Sequence, residues 1–435
     1  MRVLFSIFLA LAVPLAVSAQ PAGSLQEALL RAKPAVALVV AEIGGPVAVR
    51  CGAWAAPATI APPVIRETGT GWFVRASGWV VTSAQLVAAA HRPPPSLLAQ
   101  REAHAVTEAC GAGARGSARA VPETSISVLL SNGLKLPATV VKYRADEDLA
   151  LLRLEAADMP ALRLADSASL QIGDRIHIVG FPGVVVSHEL LNATATMEAS
   201  ITNGAVSGFR QDRGGRPVIQ TDAAAGWGDS GAPVLNSNGD VVGVLTFGAG
   251  ASETLGTPIQ GFNFVVPSST VATFLEDTPV PRDEPSRFNA AWQAGLREYF
   301  AGYHRRARAH LAEADRLLPE LPDVRRVSAD NQARLASQPW LPWRRIAVGM
   351  LVLSAAGYAA LFAQRWRRNR FRIGPSDVAR LIESAEPPLI LDVRDSTTYA
   401  KSPVRIPRAL HAPLDELARD RLPADPARTV VAYCT

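Results

Sequence analysis
The chain has 435 residues, a net charge of +5 and a hydrophobic content of 48%. That length is too great for one ordinary core, so two to four domains are expected. The apolar content is high for a purely soluble protein and points to membrane segments. Much of the positive charge flanks one apolar stretch; the remainder is near neutral or slightly acidic and gives no nucleic-acid signal.

Residues 1–19 open with Arg2, continue as the apolar run VLFSIFLALAVPLAV and end in Val17-Ser18-Ala19. This is the pattern of a secretory signal peptide. The alternative is an uncleaved anchor, and either sends the following chain across a membrane. From 24 to 277, short β-branched runs alternate with Gly, Asn, Asp and Pro; AVALVVAEI, WVVTSA, LALLRLE, RIHIVGF and DVVGVLTFG are examples. Many short strands with turn signals between them predict an all-β barrel or sandwich. Ser131-Asn132-Gly133 and Asn238-Gly239 read as hairpin turns. Residues 91–122, rich in Pro, Ala, Gly and Arg, read as a long surface insertion. Cys51 and Cys110 lie on the exported side, either paired or free and buried.

Pro279–Pro285 reads as a linker within residues 278–286. Residues 287–338 have helical periodicity, with Trp292, Leu296, Tyr299, Tyr303, Ala307, Leu311, Ala314 and Leu318 on paired apolar faces. The spacing of Trp292, Tyr299, Ala307 and Pro319 loosely resembles one tetratricopeptide repeat. One repeat cannot bury its own face, so packing against the barrel or another copy is the competing reading. Ile346–Ala363 has no charged residue and is about long enough to span a bilayer. Trp340 and Trp343 precede it, and Arg365, Arg367, Arg368, Arg370 and Arg372 follow, which predicts a cytoplasmic C-terminal side. These signals predict a bacterial-type inner-membrane location with a periplasmic barrel. In 373–435, the strands LILDVRD and TVVAY with helical stretches between them give an α/β alternation.

The chemistry concentrates in Gly228-Asp229-Ser230-Gly231. A serine on a tight glycine-bounded turn can present its hydroxyl beside backbone N–H groups of Gly228 and Ser230, and such donors stabilise an oxyanion. Alone, this would be a common turn with a solvated serine. Its neighbours make it specific. GTGWFVRASGWVVTSAQLV, SISVLLSNGLKLPATVVKYRADEDLALLRLE, IQTDAAAGWGDSGAPVLN and IQGFNFVVPSS resemble, in family order, segments of the HtrA/Deg branch of trypsin-like serine proteases. The resemblance covers roughly Pro34 to Pro267. It implies a mainly β fold of two six-stranded barrels, Ser230 as nucleophile, Asp148 as triad carboxylate, and an oxyanion hole at Gly228, Asp229 and Ser230.

The resemblance also exposes a departure. The family histidine falls on Gln85, and an amide has no usable pKa for taking the serine proton. Gln85 is expected to donate its side-chain N–H to Asp148 and accept from Ser230, keeping geometry without chemistry. His91, His104, His177 and His188 are the rival bases, none well placed by position. No PDZ-like segment follows the barrels. The tail resembles a rhodanese domain through Asp392, Arg394 and Cys434, the last matching a sulfur-carrying cysteine; the persulfide-cradling loop would lie beyond Thr435.

These readings predict a membrane-tethered, HtrA-type serine endopeptidase homologue that acts on or binds polypeptides, with proteolysis impaired by Gln85. The alternatives are an active enzyme with an unconventional base, and a rhodanese-like sulfur carrier or sensor whose barrel only binds peptides. No cofactor, metal or nucleic acid is expected. The family is commonly trimeric, so a homo-oligomer is one expectation.

Overall fold
The computed structural model describes residues 24–434 apart from 53–54, 188–190, 193–196, 247–261, 338–342 and 418–426. The signal-peptide expectation for residues 1–19 therefore lies outside the described residues. The chain divides into two units, 1–338 and 339–435.

The first unit is built on two closed six-stranded barrels. In the first, the strands are β1 (Val36–Gly44), β2 (Ile65–Arg75), β3 (Trp79–Thr82), β4 (Glu123–Leu129), β5 (Lys135–Arg144) and β6 (Leu149–Leu154). In the second they are β7 (Arg175–Gly180), β8 (Ser200–Gln211), β9 (Pro217–Thr221), β10 (Pro233–Leu235), β11 (Val241–Thr246) and β12 (Asn263–Pro267). The spatial orders are β1-β2-β3-β6-β5-β4 and β7-β8-β9-β12-β11-β10, so the two barrels repeat one antiparallel topology. Closure leaves no free sheet edge.

The alternation of side chains along each strand explains how the barrels meet. In β1, Ala37 and Val39 face the first barrel's interior with Phe73, Val80 and Leu152. The intervening Val36, Leu38 and Val40 face outward, onto Trp72, Val81, Leu149 and Leu151. That outer layer also contains Val179, Phe181, Leu235, Val241 and Val244 of the second barrel. Strands buried on both faces read as continuous apolar runs, which is why β1 shows no polar alternation. Ile176, Ile178, Val206, Ile219, Val234 and Val265 fill the second barrel separately. Both predicted hairpin turns form, with Gly133 at φ 85° and Gly239 at φ 77°.

Residues 91–122 are more ordered than a surface insertion. After helix Ala84–His91, a 16-residue helix runs Pro95–Cys110. Strand Ser117–Ala120 then pairs with Val47–Arg50, which also pairs with Ala58–Ile60. Cys51 and Cys110 form a disulfide with a Cα–Cα distance of 5.5 Å. Arg101 is buried and donates to the carbonyls of Pro63 at 2.8 Å and Gly45 at 3.0 Å.

Residues 278–286 are not a free spacer. Arg75 donates to the carbonyls of Pro281 and Arg282 at 2.5 and 2.6 Å, and the Ser77 hydroxyl donates to Glu284 at 2.9 Å. The helical segment comprises Arg287–Phe300, His304–Leu317 and Pro322–Ser337. Its apolar face joins the first barrel's core, so of the two readings it is packing against the barrel that the fold realises. Trp292 is fully buried, and its indole N–H donates to the Leu30 carbonyl at 2.9 Å. Tyr303, expected on the apolar face, is 56% exposed because it closes the turn between the first two helices.

In the second unit, helix Trp343–Asn369 contains one candidate membrane span, Ile346–Asn369, long and apolar enough to cross a bilayer. A parallel three-stranded sheet follows, in the order Leu410–His411, Leu389–Asp392, Val430–Tyr433.

Removing the indole of Trp292 empties a fully buried site and orphans the Leu30 carbonyl. Trp292→Ala is expected to destabilise the first unit by about 3–5 kcal/mol, read as a lowered denaturation midpoint.

Candidate functional site
Four segments converge on the seam between the barrels: the β3 end, the β5–β6 turn, the β11 end and the loop before β10. Asp148 opens β6 from the left-handed region, at φ 49°, which Asp tolerates. One carboxylate oxygen accepts from the Ser83 hydroxyl at 2.6 Å and from the Gln85 main-chain N–H at 2.9 Å. The other accepts from the Thr246 hydroxyl. Thr246 belongs to the second barrel, so this bond crosses the seam.

This network corrects the expectation for Gln85. Its main chain, not its amide, meets Asp148; the side chain is exposed and makes no hydrogen bond to Asp148 or Ser230. The cause is the local fold. Ser83 is the N-cap of helix Ala84–His91, but its hydroxyl is given to Asp148 instead of capping the helix. The first amides of a helix lack intrahelical partners, and Asp148 supplies the acceptor for that of Gln85. A carboxylate at a helix N-terminus is also favoured by the helix dipole.

Ser230 sits on the loop opposite. Gly228 and Gly231 flank it at φ 95° and 86°, conformations that glycine adopts without steric cost. A Cβ on Gly231 would lie 2.2 Å from the Thr70 carbonyl oxygen, so the position is closed to other residues. Ser230 is half-buried. Among the described residues, no hydrogen bond uses the N–H of Gly228 or of Ser230. The N–H of Asp229 is engaged, donating to the Gly226 carbonyl at 3.1 Å. Asp229 is thereby removed from the expected oxyanion donors, which reduce to Gly228 and Ser230.

The Asp229 side chain points inward and is 3% exposed. It accepts from the Gly226 N–H at 2.9 Å and faces no cation among the described residues. Burial pushes its carboxyl up to about 6, opposed by the Gly226 bond. Gly180 makes this fit possible: a Cβ there would lie 2.6 Å from an Asp229 carboxylate oxygen.

Thr70 holds the loop in place and was not singled out by the sequence. Fully buried in β2, it donates its N–H to the Ser230 carbonyl at 3.0 Å and its hydroxyl to the Gly228 carbonyl at 2.7 Å. The same hydroxyl accepts from the Phe181 N–H at 3.0 Å, and the Thr70 carbonyl accepts from Thr82 at 2.7 Å. Ser83 and Thr246 were missed likewise. A threonine or serine at a strand end is weak as a sequence signal, and only the approach of the barrels gives these hydroxyls partners.

The rival histidines lie elsewhere. His91 ends the helix and packs on Tyr143, with ring centroids 5.4 Å apart. His104 pairs with Glu108 on the insertion helix, and His177 is buried in β7 against Asn203. His188 lies outside the described residues. Among the described residues no cluster of His, Cys, Asp or Glu suited to a metal occurs. Cys434, in the second unit, is an exposed free thiol.

Two barrels with a carboxylate and a glycine-bracketed serine at their seam fit a trypsin-like peptidase domain, and residues 69–244 match the family model of that description. Its relatives are HtrA-type serine proteases at moderate identity. The chain is 28% identical over 176 residues to mitochondrial serine protease HTRA2 of Drosophila willistoni, covering 39% of this chain and 36% of the relative. It is 33% identical over 156 residues to serine protease Do-like HtrA of Lactococcus lactis subsp. cremoris, covering 35% and 37%. The chain thus spans little more than a third of these relatives' length. A solved HtrA-type protease, AlgW with a decapeptide, matches at 24% identity and a TM-score of 0.38, over 58% of this chain and 68% of that one.

Two outcomes are expected. Thr70→Val leaves the Gly228 carbonyl and the Phe181 N–H unpaired in a buried seam, at a cost of about 1–3 kcal/mol each, measurable by denaturation. For Asp229, the raised carboxyl gives a stability contribution fully present below about pH 4 and lost as pH rises through about 6. The pH dependence of stability between 4 and 6 is therefore expected to flatten in Asp229→Asn.

Proposed function
We propose that the two-barrel unit holds extended polypeptide segments in the cleft of a serine endopeptidase, with Ser230 as nucleophile, Gly228 and Ser230 as oxyanion donors, and Asp148 as the carboxylate. Proteolysis is impaired because the base is replaced. The observation that carries this reading is the partner set of Asp148: two hydroxyls and one main-chain N–H, with no imidazole bonded to it among the described residues.

In the full mechanism a base takes the serine proton as the hydroxyl attacks the carbonyl, then returns it to the leaving amine. Gln85 can do neither. In another serine protease, loss of the base costs about a millionfold in turnover. Binding does not need the base, since the oxyanion donors and the cleft act on the peptide directly. The candidate span, the preceding Trp340 and Trp343 and the arginines after it support an inner-membrane tether with the barrels on the exported side. The disulfide between Cys51 and Cys110 fits an oxidising compartment.

A second reading concerns the C-terminal unit. Cys434 follows the C-terminal end of a parallel strand. Beside it, Asp392 is buried, accepting from Arg394 at 2.8 Å and from the Tyr433 hydroxyl at 2.7 Å. Together with the resemblance of this segment, that placement supports a rhodanese-like sulfur carrier, with the barrels as its exported sensor.

A fluorophosphonate probe, which labels activated serines, separates active from impaired sites. The parent chain is expected to remain unlabelled at Ser230, and Gln85→His to gain labelling that Ser230→Ala removes. Rapid labelling of the parent at Ser230 would refute the impaired-site reading.

A further inference from the structure
The helical end of the first unit carries a basic surface that the barrel site does not use. Helix His304–Leu317 buries His304, Ala307, Leu311 and Ala314 at helical spacing. Its other side exposes Arg305, Arg306 and Arg308, and Arg297 is exposed near the end of the preceding helix. The two helices are joined by a tight turn in which the Tyr303 N–H donates to the Glu298 carbonyl at 2.8 Å. All four arginines therefore lie within about five residues of that turn, at one end of the hairpin. None of the four has an ion-pair partner among the described residues, whereas Arg287, Arg316, Arg325, Arg326 and Arg334 all do. Two carboxylates share this end: Asp330, taken by Arg334 at 2.6 Å, and Glu298. Tyr303 stands exposed among the cations, with Arg306 over its ring at 5.1 Å.

The third helix fixes where this end lies along the chain. Tyr299 donates to Asp330, His304 bonds Asn331 at 2.9 Å, and Arg334 lies over the Tyr299 ring at 5.2 Å. The last turns of Pro322–Ser337 thus stand beside the basic tip. Between Ser337 and the start of the candidate span at Ile346 the chain has eight residues. Fully extended, that stretch reaches at most roughly 30 Å. Its sequence includes Trp340, Trp343, Arg344 and Arg345, residue types favoured at a bilayer interface.

We propose that the tip formed by Arg297, Arg305, Arg306 and Arg308 docks on the headgroups of anionic phospholipids around the span and holds the barrels close to the bilayer. This rests on the membrane-tether reading. An anionic leaflet attracts basic groups only within about a Debye length, near 8 Å at physiological salt. The short connection meets that condition by keeping the tip near the surface at high effective concentration. Guanidinium groups pair with phosphate oxygens in bidentate fashion. An acidic protein partner would satisfy the charge equally, but nothing in the chain delivers one to this end.

The test uses the full chain in nanodiscs of phosphatidylcholine, with or without phosphatidylglycerol. Arginines are modified with phenylglyoxal and read by peptide mass spectrometry. At the tip, modification is expected to be at least about threefold slower in the anionic discs, with the difference abolished by roughly 0.5 M salt. Exposed Arg50, on the strand paired with Ser117–Ala120 and distant from the tip in sequence, is expected to react alike in both. Equal rates at the tip in both discs overturn the docking while leaving the tether intact. A chain that co-purifies with neither disc defeats the tether reading, and the docking with it.

Discussion
Thr70 is the point on which the two barrels agree. Its N–H, hydroxyl and carbonyl are all committed, to Ser230, Gly228, Phe181 and Thr82. Two of these partners belong to the serine loop, one to the end of β7 and one to β3. The loop can keep its two left-handed glycines and its inward Asp229 only while this side chain stands behind it. The apolar layer around Trp72, Phe181 and Leu235 presses the barrels together and excludes water from the joint. In a dry joint an unmade hydrogen bond is expensive, so a single arrangement of the loop is selected.

Asp148 is a structural anchor at the seam. Its carboxylate anchors the N-terminus of helix Ala84–His91 through the Gln85 amide, holds Ser83, and meets Thr246 across the seam. Each of these contacts is structural and independent of the residue 85 side chain. The aspartate therefore stabilises the same backbone whether a histidine or a glutamine occupies that position.

The elements outside the barrels are tied to it by specific contacts. The disulfide and the buried Arg101 hold the insertion helix onto the edge of the first barrel. Lys33 bridges to Asp323 at 3.0 Å, and Arg326 to Glu198 at 2.8 Å, joining the N-terminal segment and the second barrel to the third helix. Trp292 fills the space between helix Leu25–Ala32 and the hairpin. These contacts turn a stretch with repeat-like periodicity into part of one compact unit.

Much of this was legible in the chain. The apolar runs and hairpin glycines located the barrel strands, since a strand's burial and a turn's positive φ are local demands on residue type. Gly228-Asp229-Ser230-Gly231, Asp148 and Gln85 were singled out in the sequence because residue types are stated there outright, and the fold brings them to one seam. The roles of Thr70, Ser83 and Gly180, the inward turn of Asp229 and the docking of Trp292 were not legible. Each depends on which groups two distant segments bring within hydrogen-bonding or van der Waals reach. Sequence determined which residue types the chain offers at the seam and where its strands run; the tertiary structure alone decided which polar groups share the dry seam between the barrels, because that pairing exists only once both barrels have closed.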